Sequence, residues 1–245
     1  MILFLTSSPT GPLDNSYPVD GLDSSNGFPE QLARFWPEKA RVLMISAFPD
    51  DIPANEEMGA FFERTLRESG LSMSAFTLLD RRQMPMSFGQ IRSHSVLLLG
   101  GGHVPTQNAF FRELRLRECL ESYDGLILGI SAGSMNAANV VYAQPEEPGE
   151  ATDPDYVRFL PGLGLTRTQI LPHYQMVRDR TLDGLSLYQD ITRRDSFGRR
   201  FLILPDGSYL LSQDGQERVY GEAYQMADGV LTQICTQGGN CSWSA

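Results

Sequence analysis

The chain has 245 residues, 41% of them hydrophobic, and 30 Asp and Glu stand against 20 Lys and Arg for a formal net charge of -10. That apolar share supports a sizeable core and argues against disorder. The acidic balance argues against a nucleic-acid partner, which needs a basic face, and against docking on an anionic membrane. No apolar run reaches the length of a membrane span. The opening Met1-Ile2-Leu3-Phe4-Leu5 is short, lacks a basic leader and ends at Ser7-Ser8-Pro9, so it reads as a first strand rather than a secretion signal. Cys119, Cys235 and Cys241 have no zinc or CxxC spacing. An odd count without a secretion signal predicts reduced thiols and a cytoplasmic chain.

After the first strand, Thr6 to Pro29 is rich in Ser, Gly, Pro and Asp and reads as a long loop. Arg41 to Phe48 is a buried-strand run. Asn55 to Ser69 places Met58, Phe61, Phe62 and Leu66 on one helical face, and Gly70 stops that helix. Met73 to Leu79 and Ser95 to Leu99 read as further strands, the second followed by Gly100-Gly101-Gly102. A helix is expected from about Thr106 to Cys119. Gly125 to Ile130 is a fifth strand, with a helix beginning at Ala132. This alternation predicts an α/β fold with a mainly parallel sheet covered on both faces. Beyond about Arg200 short strands are split by Pro205-Asp206-Gly207 and Gln213-Asp214-Gly215, a C-terminal antiparallel extension of the same domain. No linker divides the chain, so one domain over residues 1–245 is expected.

Gly129-Ile130-Ser131-Ala132-Gly133 fits G-x-S-x-G. A strand that turns abruptly into a helix holds its serine in a strained conformation, and only small neighbours permit the close approach. Alone the pattern is weak, since a helix-capping serine in a glycine-lined turn gives the same letters. Its setting, after an apolar strand and before a helical stretch, points to a nucleophile. A serine hydroxyl needs a base to take its proton, and histidine titrates in the right range. The chain offers His94, His103 and His173. His94 precedes a strand in a turn and reads as a surface residue. His103 follows the glycine run, a position that suits a substrate contact as well as a base. His173 follows Ile170-Leu171-Pro172 at a strand end, where parallel sheets place their active sites, and is favoured as the base. Asp206 could orient it, although Pro-Asp-Gly is also an ordinary turn. The amide of Ala132 and one from Gly101 or Gly102 could stabilise an oxyanion. The glycine run lacks the Lys-Ser/Thr of a P-loop and the spacing of a dinucleotide fingerprint.

Taken together, Val96-Leu97-Leu98-Leu99-Gly100-Gly101-Gly102 with Gln107, then Gly129 to Gly133, Pro172-His173-Tyr174 and Leu204-Pro205-Asp206-Gly207 resemble the peptidase E (aspartyl dipeptidase) and cyanophycinase family of serine peptidases. Leu3 to Ser8 also looks like the family's first strand and loop. The resemblance implies a flavodoxin-like fold, as in class I glutamine amidotransferases. It implies Ser131 as nucleophile, His173 as base, Asp206 as third member, and Gly101 with Ala132 as oxyanion hole. No metal or organic cofactor is implied. Three departures stand out. His103 occupies the place of a frequent asparagine, Asp206 that of peptidase E's glutamate, and the segment Gln144 to Tyr156 is unlike peptidase E.

That segment carries Glu146, Glu147, Glu150, Asp153 and Asp155. It reads as a solvated acidic loop, or, if it lines the cleft, as a field that repels acidic substrates. The leading expectation is hydrolysis of a dipeptide or small peptide at an aspartyl residue. His103, Gln107, Arg178 and Arg180 are the substrate-binding candidates, the arginines for a carboxylate. Cyanophycinase-like or isoaspartyl hydrolysis, an α/β-hydrolase esterase with its acid between Glu146 and Asp155, and a non-catalytic binding protein on the same fold are the alternatives. A homodimer is left open.

Overall fold

The computed structural model describes residues 1–12 and 21–245. Strands are β1 (Ile2–Thr6), β2 (Ala40–Ile45), β3 (Met73–Leu79), β4 (Val96–Leu99), β5 (Leu126–Ile130), β6 (Val140–Tyr142), β7 (Phe159–Pro161), β8 (Gln169–Leu171), β9 (Thr181–Leu182), β10 (Leu185–Ser186), β11 (Arg200–Ile203), β12 (Tyr209–Gln213), β13 (Gln216–Tyr220), β14 (Ala223–Ala227), β15 (Val230–Cys235) and β16 (Asn240–Trp243). Eight of them form the main sheet in the order β16-β13-β12-β1-β5-β4-β2-β3. Its β1-β5-β4-β2-β3 portion is parallel, and β12, β13 and β16 add antiparallel strands beyond β1. The fold is therefore the expected α/β class, a mainly parallel flavodoxin-like sheet with an antiparallel extension.

Alternation along the strands fills two layers, because successive side chains point to opposite faces. Phe4, Val42, Met44, Leu98 and Leu128 pack with Phe28 and Leu32 of α1 (Phe28–Phe35) and with Phe62 and Leu66 of α2 (Ile52–Glu68). Leu3, Leu5, Leu43, Ile45 and Leu99 face the other way, against Ile91 of α3 (Phe88–Arg92) and Phe110 and Phe111 of α4 (Val104–Glu113). A third cluster, with Val104 of α4, Met135, Tyr142 and Phe201, packs the start of α4 against a four-stranded sheet ordered β15-β14-β11-β8.

Several local expectations need correction. The long loop after β1 ends earlier than Pro29, since α1 begins at Phe28; its residues 13–20 lie outside the described residues. The helix expected from Thr106 to Cys119 is two helices, α4 and α5 (Leu116–Leu120). Arg115 between them adopts φ 51°, and that bend returns Leu116, Cys119 and Leu120 to the core. His94 is buried rather than on the surface. Its Nδ1 lies 3.0 Å from the Gln90 carbonyl and 3.2 Å from that of Ile91, closing the end of α3. The strands after Arg200 divide between two sheets, because β14 pairs with β11 while β12 and β13 pair beside β1.

Candidate active site

The carboxyl ends of β1, β2, β4 and β5 bring Ser7, Phe48, Gly101 and Ser131 to one cavity. Ser131 stands between β5 and α6 (Ala132–Asn136) with φ 50° and ψ -113°. A non-glycine residue there carries backbone strain of about 1–3 kcal/mol. The surroundings hold it in place. Its amide lies 3.1 Å from both the Thr6 and Ser7 carbonyls, and Ser134 Oγ donates to Thr6 O at 2.8 Å. The flanking glycines are demanded by contact: a Cβ on Gly133 would collide with the Leu99 carbonyl, and one on Gly129 would meet Leu5 Cδ2 at 2.9 Å. Gly101 is less constrained, since a Cβ there would lie in ordinary contact, 3.4 Å from Ser131 Cβ.

His173 follows β8 in the left-handed region, φ 57° and ψ 34°, and opens α7 (Tyr174–Val177). Its Nε2 lies 2.8 Å from Ser131 Oγ, and its Nδ1 lies 2.6 Å from Asp206 Oδ1. The Asp206 side chain is fully buried in the turn between β11 and β12. Gln175 Nε2 donates to Asp206 Oδ2, and the Asp206 amide donates to Gln175 Oε1 at 3.1 Å. Ser7 Oγ donates to Asp206 Oδ1 at 2.7 Å and accepts the His173 amide at 2.7 Å. This arrangement can pass a proton from a hydroxyl to an imidazole whose far nitrogen is held by a carboxylate. The acid follows the histidine in the chain, which removes the α/β-hydrolase order with an acid between Glu146 and Asp155.

Ser7 and Gln175 went unforeseen. Ser7 reaches the site because β1 pairs with β5 in a register that sets Thr6 beside Ile130, so the next residues, Ser7 and Ser131, emerge together. Only strand order reveals that. Gln175 sits two residues beyond His173, a spacing with no distinctive signal.

The substrate-binding candidates divide. His103 lines the cavity, but Nδ1 is 2.7 Å from Thr106 Oγ1 and Nε2 is 2.9 Å from Glu150 Oε1. Gln107 does not face the cavity. It is fully buried behind the glycine loop, with Nε2 donating to Gly100 O at 2.6 Å and Oε1 accepting from Asn136 at 3.1 Å. Arg178 is also displaced: it pairs with Asp179 at 2.9 Å and borders a separate pocket with Tyr174 and Tyr188. Arg180 does border the site, donating to the Glu146 carbonyl at 2.9 Å.

Two spaces meet at Ser131 and His173. The larger, about 880 Å³, runs toward α2; the smaller, about 230 Å³, runs along Met176, Val177 and Arg180. Glu146 borders both. Part of the acidic loop therefore does line the cleft, while Asp153 and Asp155 are exposed away from it. Burial, and then the neighbouring Glu150 carboxylate, push the Glu146 carboxyl up to about 8, against a hydrogen bond from the Val104 amide. Burial also acts to raise Glu150, but hydrogen bonds from the Glu146 and Glu147 amides and from His103 outweigh it and leave its carboxyl below the usual range. Among the described residues, no group of three or more His, Cys, Asp or Glu could hold a metal ion. No described helix is long and apolar enough to cross a membrane.

A serine on a strained strand-to-helix turn, backed by a histidine, above a flavodoxin-like sheet defines the class as peptidase-like hydrolases. The chain belongs to peptidase family S51, whose model matches residues 49–220, and it is a peptidase. Among solved structures it is similar to a peptidase from an acI-B1 Actinobacterium, with 15% identity, a TM-score of 0.69, and 99% of this chain and 96% of that chain covered. It is also similar to a putative peptidase E protein from Listeria monocytogenes EGD-e, with 15% identity, a TM-score of 0.55, and 95% and 98% covered. At that identity both likenesses speak to the fold. No curated protein matches the chain.

Proposed function

We propose that the chain hydrolyses a peptide bond in small peptides through an acyl-enzyme on Ser131. The observation that carries this reading is the continuous chain from Ser131 Oγ to His173 Nε2 at 2.8 Å and from His173 Nδ1 to Asp206 Oδ1 at 2.6 Å. His173 Nε2 takes the hydroxyl proton as Ser131 Oγ bonds to the carbonyl carbon. The amides of Gly101 and Ala132 receive the oxyanion. His173 then gives its proton to the leaving amine as the C–N bond breaks. In the second half water gives a proton to His173 as its oxygen bonds to the ester carbon; the C–Oγ bond then breaks, the carboxylic acid leaves, and His173 returns the proton to Ser131 Oγ. Asp206 fixes the Nδ1–H tautomer and stabilises the imidazolium. Ser7 and Gln175 position Asp206 and the His173 backbone.

Arg180, at the rim of the smaller pocket, is suited to the carboxylate of the departing amino acid, which favours short substrates. An aspartyl residue is a weaker fit to the larger cavity, where the Glu57 and Glu147 carboxylates accompany a single guanidinium, Arg64. We further infer one cooperative domain, because β1 from the start and β12 from the end lie side by side in one sheet. Three free thiols support a reducing compartment such as the cytoplasm.

A dipeptide and tripeptide library tests the reading. Hydrolysis by the wild type, with Ser131→Ala and His173→Ala reduced by at least about a thousandfold, is expected. Undiminished turnover in either variant would end the mechanism.

A further inference from the structure

The larger cavity has one unusually apolar wall. Along α2, Phe62 and Leu66 are buried and serve the core. Met58 and Phe61 pack against the same core and, half-buried, also line the cavity. Phe48, from the segment after β2, and Ile130, at the end of β5, complete the wall beside Ser131. The Phe61 and Phe62 rings meet edge-on with centroids 5.1 Å apart. The part of each side chain that the core leaves uncovered gives the cavity an apolar face beside the nucleophile, the kind of surface that receives a ligand's apolar group.

Charge points the same way. Glu57, Glu146 and Glu147 border this space, and its one guanidinium, Arg64, lies over the Phe61 ring at 6.0 Å. An incoming carboxylate meets the Glu57 and Glu147 carboxylates there, whereas Glu146, with its carboxyl pushed up to about 8 by burial, is mostly protonated near neutral pH. The geometry around His173 gives the cavity a side. The leaving amine must take its proton from His173, and the residues that follow His173 border the smaller space. The glycine loop that receives the carbonyl oxygen, Gly101 and Gly102, borders the larger one. The acyl half of a substrate therefore extends along α2.

We propose that the 880 Å³ cavity is the acyl-side subsite and takes a bulky apolar side chain, aromatic or long aliphatic, in preference to an aspartyl carboxylate. This rests on the peptidase reading of Ser131 and names the substrate class for it. Met58, Phe61 and Phe48 are the specificity-determining residues. A fit of this kind discriminates by about tenfold to 200-fold in kcat/KM, the range a hydrophobic pocket supplies.

The experiment uses peptides X-Ala and X-Ala-Ala with X as Phe, Leu, Gly, Lys or Asp. Wild-type kcat/KM is expected to be at least about tenfold higher for Phe and Leu than for Asp and Gly. Phe61→Ala should narrow the Phe-to-Gly ratio about tenfold, with circular dichroism unchanged. A second arm measures binding of the Phe and Asp peptides to folded Ser131→Ala by calorimetry, where the Phe peptide should bind more tightly. A preference for Asp, or a Phe-to-Gly ratio untouched by Phe61→Ala, overturns the apolar subsite while leaving the peptidase standing. Absence of turnover for every X strikes the peptidase reading instead. The calorimetry still decides the subsite, because equal or tighter binding of the Asp peptide overturns it.

Discussion

Replacing Ser7 by Ala removes a hydroxyl that touches no reacting atom yet holds two that do. Ser7 Oγ is fully buried, donates to Asp206 Oδ1 at 2.7 Å and accepts the His173 amide at 2.7 Å. The first bond is charge-assisted and worth about 1.5–3 kcal/mol. The second holds a residue already at φ 57°, so its loss frees His173 to relax from the left-handed region. If most of the first term is felt only when the imidazolium forms, kcat falls about tenfold to a hundredfold. KM should change less than about threefold, because the buried Ser7 hydroxyl is engaged by Asp206 and the His173 amide, so uniform binding is retained. Ser7→Thr keeps the hydroxyl and should recover most of the rate. The assay is steady-state hydrolysis of the best library peptide, with folded fraction measured in parallel by thermal melting. The reasoning is refuted if Ser7→Ala keeps more than half of the wild-type kcat, or if its loss merely tracks a loss of folded protein.

Other outcomes follow from the same contacts. Asp206→Asn preserves the shape but cannot hold the needed tautomer, so kcat should drop about 10³–10⁴-fold with little change in Tm. Ser131→Gly should be more stable than Ser131→Ala by about 1 kcal/mol in urea unfolding, since glycine tolerates φ 50° without the Cβ penalty. Gly133→Ala should cost about 3 kcal/mol or more, because its Cβ would collide with the Leu99 carbonyl and backbone must shift. Glu146 sets a pH signature. Its folded carboxyl is raised from 4.5 to about 8, so folding favours its protonated form. Stability from this group is complete below about pH 4.5 and is lost as pH rises toward 8. Glu146→Gln removes that loss and should gain about 1–3 kcal/mol over wild type at pH 8, after discounting for partial solvent contact. The two proteins should be closely matched at pH 4; a constant difference from pH 4 to 8 would contradict the assignment.

Features set by local chemistry were legible in the sequence. The strands Met73 to Leu79 and Leu126 to Ile130 announce themselves as apolar runs, and the glycines around Ser131 mark a turn that excludes larger residues. His173 could be chosen because it closes an apolar run, and the geometry puts it beside Ser131. Features that depend on long-range packing were not legible. The break at Arg115 leaves no proline or glycine as a signal; the left-handed turn is imposed by the need to bury Leu116 and Leu120. Gln107 carries the polarity of a substrate ligand, yet tertiary contacts turn it inward to hold Gly100 and Asn136. His94 looked solvent-facing because the carbonyls it satisfies belong to a helix end that has no sequence mark. Met58 and Phe61 fit the helical stripe of α2, and only the cavity distinguishes them from Phe62 and Leu66.

The account depends on a covalent bond forming at one oxygen. Rapid quenching of the wild type with a slowly deacylated peptide ester, followed by peptide mapping in a mass spectrometer, looks for it directly. The acyl mass is expected on Ser131, absent from Ser131→Ala and strongly reduced in His173→Ala. Turnover with no acylated Ser131 at any quench time, or an acyl group on another residue, would contradict it.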